Sequence, residues 1–103
     1  MIKVSVMYPN SVGVTFDIDY YCHTHFPLVA TLLGDALKSV AVEYGLTGAT
    51  PEEEPAFIAM GHMTFDSVEA FKTAYGLNIV EIKADIPNFT NVKSVIQISE
   101  IKI

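Results

Sequence analysis

A proline interrupts the one stretch of this chain that otherwise reads as a long amphipathic helix. Phe16 to Gly34 runs FDIDYYCHTHFPLVATLLG, and within it Tyr21, His25, Leu28 and Leu32 recur at separations of four, three and four residues. That spacing puts a phenol and an imidazole on one helical face with two leucines. Pro27 cannot donate an N–H to the carbonyl of His23, and its ring disfavours α geometry at Phe26. The expectation is a kink, or one helix ending near Thr24 and a second starting at Pro27. Either way His25 stands beside backbone groups that the break leaves in need of partners.

The elements on either side of this segment alternate. Ile2, Val4, Val6 and Tyr8 interleave with Lys3, Ser5 and Met7, which is strand periodicity, and Pro9 to Gly13 reads as a loop. The helical segment opens at Thr15 or Asp17 and closes at Gly34. Leu37 to Leu46 reads as a second strand, with Val40, Val42, Tyr44 and Leu46 on one face and mostly small residues on the other. GATPEEEP, from Gly48 to Pro55, reads as a solvated hairpin loop.

Ala56 to Phe65 alternates as a third strand, with Ile58, Met60, His62 and Thr64 on one face. Asp66-Ser67-Val68-Glu69 has the form of a capping box and opens a helix to Gly76. Helix is expected to resume over Asn78 to Asp85 and to stop at Pro87, and a last strand runs within Val92 to Ile103. The order β-α-β-β-α-β is the split βαβ, ferredoxin-like plan, an α+β fold with a four-stranded antiparallel sheet. No linker or low-complexity tract divides the chain, so residues 1–103 read as a single domain.

Helices on one side of such a sheet leave the other side bare. Half of the 103 residues are hydrophobic, more than so small a monomer hides easily, so a homodimer is expected. The net charge of −6, with only six Lys and Arg, argues against nucleic acid or an anionic membrane as partner. A lone cysteine, Cys22, excludes an internal disulfide and fits a reduced, cytoplasmic setting. It is expected to be a buried thiol rather than a nucleophile paired with His25. The opening MIKVSVMYPN is not expected to be a signal peptide, and no apolar run is long enough to span a membrane.

Three stretches carry a resemblance. Phe16-Asp17-x-Asp19-Tyr20-Tyr21-x-x-x-His25-x-Pro27-Leu28, then Gly61-His62-x-x-Phe65-Asp66-Ser67, then Ile86-Pro87-Asn88-Phe89-Thr90 resemble the EthD family of small dimeric α/β-barrel proteins. The founding member of that family is linked to ethyl tert-butyl ether degradation. Phe26 and Phe89 stand where the family often has Met and Tyr, and both changes keep bulk. The resemblance implies a ferredoxin-like subunit that dimerises by packing two sheets into a barrel, with a pocket between helices and sheet in each subunit. It implies a cofactor-independent oxidoreductase, or a related acid–base enzyme, acting on a small hydrophobic or phenolic molecule. The alternative is a non-catalytic binding or accessory protein of a degradative or biosynthetic pathway that uses the same pocket.

His25 leads the candidate residues, because neutral imidazole takes and returns a proton near neutral pH. Its structural alternative is a ring that bonds the backbone carbonyls freed by Pro27. Tyr21, one turn earlier, and His62, mid-strand, are expected as substrate-orienting catalytic groups. Tyr8, Tyr20 and Asp85 are expected to bind substrate. His62 joins His25 only if the helices cover its face of the sheet. No metal site is expected, since His23-x-His25 lacks the four-residue spacing of a helical ligand pair. No nucleotide, heme or other cofactor is expected either.

Overall fold

The computed structural model describes residues 1–103. Its elements are β1 (Ile2–Pro9), α1 (Ile18–Tyr20), a π-helical turn (Tyr21–His25), α2 (Phe26–Leu33), β2 (Ser39–Tyr44), β3 (Phe57–Phe65), α3 (Val68–Asp85) and β4 (Val95–Glu100). Short 3₁₀ turns follow α2 at Gly34–Ala36 and α3 at Ile86–Asn88. The strands form one antiparallel sheet in the order β2-β3-β1-β4. With the helices on one side this is the α+β ferredoxin-like fold. Its short axis of 19 Å is that of two layers, a sheet and the helices lying on it.

Pro27 does not break the helix. Instead the backbone widens into the π turn, where the N–H of Phe26 bonds to the carbonyl of Tyr21 five residues back. Pro27 therefore sits in the first turn of α2, directly after the π turn, where the missing N–H of a proline is tolerated best. The extra residue also moves the buried stripe on by one position. Tyr21 and His25 are buried as expected, but beyond them Val29 and Leu33 enter the core while Leu28 and Leu32 are only half-buried.

α3 likewise runs unbroken, through Gly76, for 18 residues. Its cap is Ser67, whose hydroxyl accepts from the N–H of Ala70, rather than the Asp66 expected from the capping-box pattern. At the other helix, Asp17 caps α1 by accepting from the N–H of Tyr20, and Gly34 ends α2 at φ +57°.

Strand alternation then decides the faces. Val4, Tyr8, Ala59, Met63 and Phe65 are buried beneath the helices with Phe26, Phe71 and Ile82. Ser5, opposite His62 in the β1–β3 register, points to the other side, as do Met60, Ala41 and Glu43. No helix covers that second face.

Candidate functional site

His25 closes the π turn, and its ring is buried against three aromatic side chains. Tyr21 lies nearly parallel to it (centroids 5.6 Å apart, 12° between planes), Phe89 tilts over it at 4.6 Å, and Phe26 meets it edge-on at 6.0 Å. Phe89 is fixed by ties between its loop and the start of α1. The N–H of Asp17 bonds to the Phe89 carbonyl, and the Thr90 hydroxyl donates to the carbonyl of Thr15.

Asp85, the last residue of α3, takes up the imidazole from behind. Its Oδ2 stands 2.8 Å from Nδ1 of His25, and the two side chains are only 6% and 13% exposed. Its other oxygen, Oδ1, accepts from the Tyr20 hydroxyl at 2.6 Å and from the Asn88 amide at 3.0 Å. Burial raises the Asp85 carboxyl, but the hydrogen bonds from Tyr20, His25 and Asn88 outweigh it and hold the group below the usual carboxylate range. Asp85 is therefore ionised at neutral pH and can only accept. That places the His25 proton on Nδ1.

Burial lowers the imidazole pKa below its ordinary value, against the opposing pull of Asp85. At neutral pH the ring is thus neutral, with its lone pair on Nε2. No group of the protein bonds to that nitrogen. Since no sealed side-chain polar atom lacks a partner, Nε2 reaches accessible space.

His25 also lines an apolar cavity of about 60 Å³ between the sheet and the helices, room for roughly four to six waters. His25, Tyr21, Tyr8, Phe26, Phe71 and Met63 are among its walls. Tyr8 reaches it from β1 and packs edge-on against Tyr21, with centroids 5.6 Å apart. Burial pushes the Tyr8 phenol up to about 12, partly offset by the neighbouring Tyr21 hydroxyl. It pushes Tyr21 higher still, so both phenols stay protonated. Tyr21 lies over Gly61 on β3, where any side chain would meet its hydroxyl and the ring of Phe26.

Of the expected site residues, His25, Tyr21 and Tyr8 therefore share one cavity. Tyr20 and Asp85 lie behind the imidazole rather than on the cavity wall. His62 falls on the opposite face of the sheet, apart from His25. Both of its ring nitrogens are engaged there, Nδ1 with Ser5 Oγ at 2.8 Å and Nε2 with Glu43 Oε1 at 2.9 Å. Asn88 and Phe89 belong to the site and were not singled out as functional from the sequence. The signal for Asn88 is its place three residues after Asp85, one turn along. Cys22 is half-buried. No group of three His, Cys, Asp or Glu side chains is placed to hold a metal ion.

The model of the EthD domain matches residues 13–93. The chain belongs to the EthD family. The matched span contains Tyr20, Tyr21, His25, Asp85 and Asn88, so the imidazole and everything that holds it lie within the EthD domain, whereas Tyr8 precedes it. Among solved structures, an EthD-like protein from Ralstonia eutropha JMP134 is 44% identical, with a TM-score of 0.96 over 99% of this chain and 92% of that one. An ethyl tert-butyl ether (EthD) family protein from Bacillus halodurans C-125 is 20% identical, with a TM-score of 0.68 over 99% of both chains. HapK from Hahella chejuensis shares the fold, at 7% identity and a TM-score of 0.59 over 94% of this chain and 90% of that one. Among curated proteins nothing matches the chain.

Proposed function

We propose that this EthD domain is a cofactor-independent acid–base enzyme, an oxidoreductase or a close mechanistic relative, acting on a small hydrophobic or phenolic molecule. The observation that carries the reading is the His25–Asp85 pair at the wall of an apolar cavity. Asp85 fixes the tautomer and stabilises the imidazolium that forms when Nε2 takes a proton. With a phenolic substrate, proton removal leaves a phenolate, the electron-rich form that a diffusible acceptor such as dioxygen oxidises. Tyr21 and Tyr8 supply the polar contacts that orient the ligand. The presence of these polar groups on one cavity favours chemistry over simple carriage.

The working form in this proposal is a cytoplasmic homodimer in which two copies cover each other's bare sheet face. Support comes from the half-buried Met60, Ile58 and Met7 on that face and from the single cysteine. No helix is long and apolar enough to cross a membrane.

The test is titration of the protein with 4-methylphenol, followed through the imidazole resonances of its three histidines. Saturable shifts at His25 that spare His62 support the reading. No shift at His25 with that ligand refutes it.

A further inference from the structure

Three donors converge on Asp85 and divide its two oxygens unequally. Oδ2 serves His25 alone, at 2.8 Å, whereas Oδ1 takes both the Tyr20 hydroxyl at 2.6 Å and the Asn88 amide at 3.0 Å. The same amide also donates toward the Tyr20 oxygen at 3.4 Å. Tyr20 thus receives one hydrogen as it gives another, which strengthens the bond it makes. Tyr20 comes from the end of α1 and Asn88 from the 3₁₀ turn after α3, and the Tyr20 ring stacks on Phe89 rather than on the imidazole. Any influence of its hydroxyl on His25 therefore passes through Asp85.

A carboxylate has a single charge to share among its donors. Each hydrogen bond accepted at Oδ1 draws charge away from Oδ2 and weakens its hold on the Nδ1 hydrogen. Among the three hydrogen bonds, that of Tyr20 does most to keep Asp85 ionised, ahead of those of His25 and Asn88. Asp85 in turn holds the proton on Tyr20, whose phenol it raises above the ordinary value.

We infer that Tyr20, assisted by Asn88, is a positioning residue that acts on His25 through Asp85, anchoring one carboxylate oxygen and drawing part of the charge away from the imidazole. Asp85 is kept an acceptor, and the support it gives a protonated ring is tempered, so that the ring gives up a proton as well as taking one. The other titratable groups about the imidazole are phenols: Tyr21 beside it, and Tyr8 and Tyr75 on the walls of the same cavity. Burial raises all three, so none carries charge near neutral pH. The role rests on the acid–base reading of His25 for its purpose, but the coupling itself is measured without a substrate.

The experiment is NMR titration of His25 and Asp85 in the ligand-free protein. Tyr20→Phe keeps the ring that stacks on Phe89 and removes only the hydroxyl. It is expected to raise the proton affinity of Asp85 roughly tenfold, the scale of one hydrogen bond to a charged group. That of His25 is expected to rise about twofold or more, so both groups titrate at higher pH. Asn88→Ala, at an exposed position, is expected to move both the same way by less. In an Asp85→Asn background, Tyr20→Phe is expected to leave the His25 titration where it is.

A His25 titration that stays put or falls in Tyr20→Phe, whatever happens to the melting temperature, overturns the inference. So does an equal shift in the Asp85→Asn background, because the effect would then bypass the carboxylate. If 4-methylphenol perturbs His25 but Tyr20→Phe does not move its titration, the inference fails alone and the acid–base reading stands. If the coupling is present and 4-methylphenol leaves His25 unperturbed, the acid–base reading fails and the link from Tyr20 to the imidazole is upheld.

Discussion

Asp85 and His25 are 60 residues apart in the chain, yet Oδ2 of the one lies 2.8 Å from Nδ1 of the other. The carboxylate sits where α3 ends and the imidazole where the π turn passes into α2, so the end of one helix meets the middle of another. Replacing Asp85 by Asn keeps the shape and removes the charge. Both effects that raise the His25 pKa come from Asp85, so Asp85→Asn is expected to lower it further. Imidazole titration by NMR checks this.

The buried neutral imidazole also sets a pH dependence of stability. His25 has a folded pKa below its ordinary 6.5, so below about that pH the unfolded chain binds the proton that the folded chain refuses. Its contribution is fully present above pH 6.5 and is lost as pH falls through the folded value. Melting curves of the protein and of His25→Gln are expected to converge on acidification from that point. Asp85, whose pKa is also depressed, adds a second loss at lower pH, below its ordinary 3.8.

Gly61 gives Tyr21 its place. A Cβ there would run into the phenol hydroxyl and approach Phe26 Cζ and Cε2 at 3.0 and 3.1 Å. Gly61→Ala is expected to cost about 1–3 kcal/mol, and adding Tyr21→Phe is expected to recover part of it. Urea unfolding of the two single variants and the double variant measures the coupling.

Gly76 has the opposite character. It lies inside α3 with negative φ, and a Cβ added there has nothing within 4 Å. Gly76→Ala is expected to stabilise the fold by about 0.5–1 kcal/mol through helix propensity and a less flexible unfolded chain. That corresponds to a rise of about 2–6 °C in thermal melting for a domain of this size.

The proposed dimer has its own test. Met60 stands in the middle of the bare face, beside Glu43 on β2 and Met7 on β1. Met60→Lys is expected to turn a dimer in sedimentation velocity into a monomer while leaving the helix-side cavity intact. A parent protein that sediments as a monomer would contradict the sheet-to-sheet packing.

Much of this architecture was legible from local pattern. Alternation in Ile2 to Tyr8 and in Phe57 to Phe65 marks β1 and β3, and Asp17 and Gly34 mark where the first helical segment starts and stops. The π turn was not legible. Helical periodicity carries Tyr21 and His25 on to Leu28 and Leu32, but the additional residue before Pro27 hands those core positions to Val29 and Leu33. Nor does the sequence disclose which face of the sheet the helices choose. That choice separates His62 from His25, because alternation gives two faces and only tertiary packing distinguishes them. Asp85 and Tyr20 are expected from the sequence to bind substrate, but their meeting behind the imidazole depends on contacts between residues 60 and more apart. Gly76 misleads for a simpler reason: its helix penalty of about 1 kcal/mol is small beside the burial of Phe71 and Ile82 on either side.

The protonation of one ring decides what this site can do, and nitrogen-15 NMR of the histidine side chains reads it directly. At neutral pH His25 is expected as the neutral tautomer with hydrogen on Nδ1 and a bare Nε2, titrating below 6.5. A hydrogen on Nε2 at neutral pH, or titration above that value, would contradict a base held ready by Asp85.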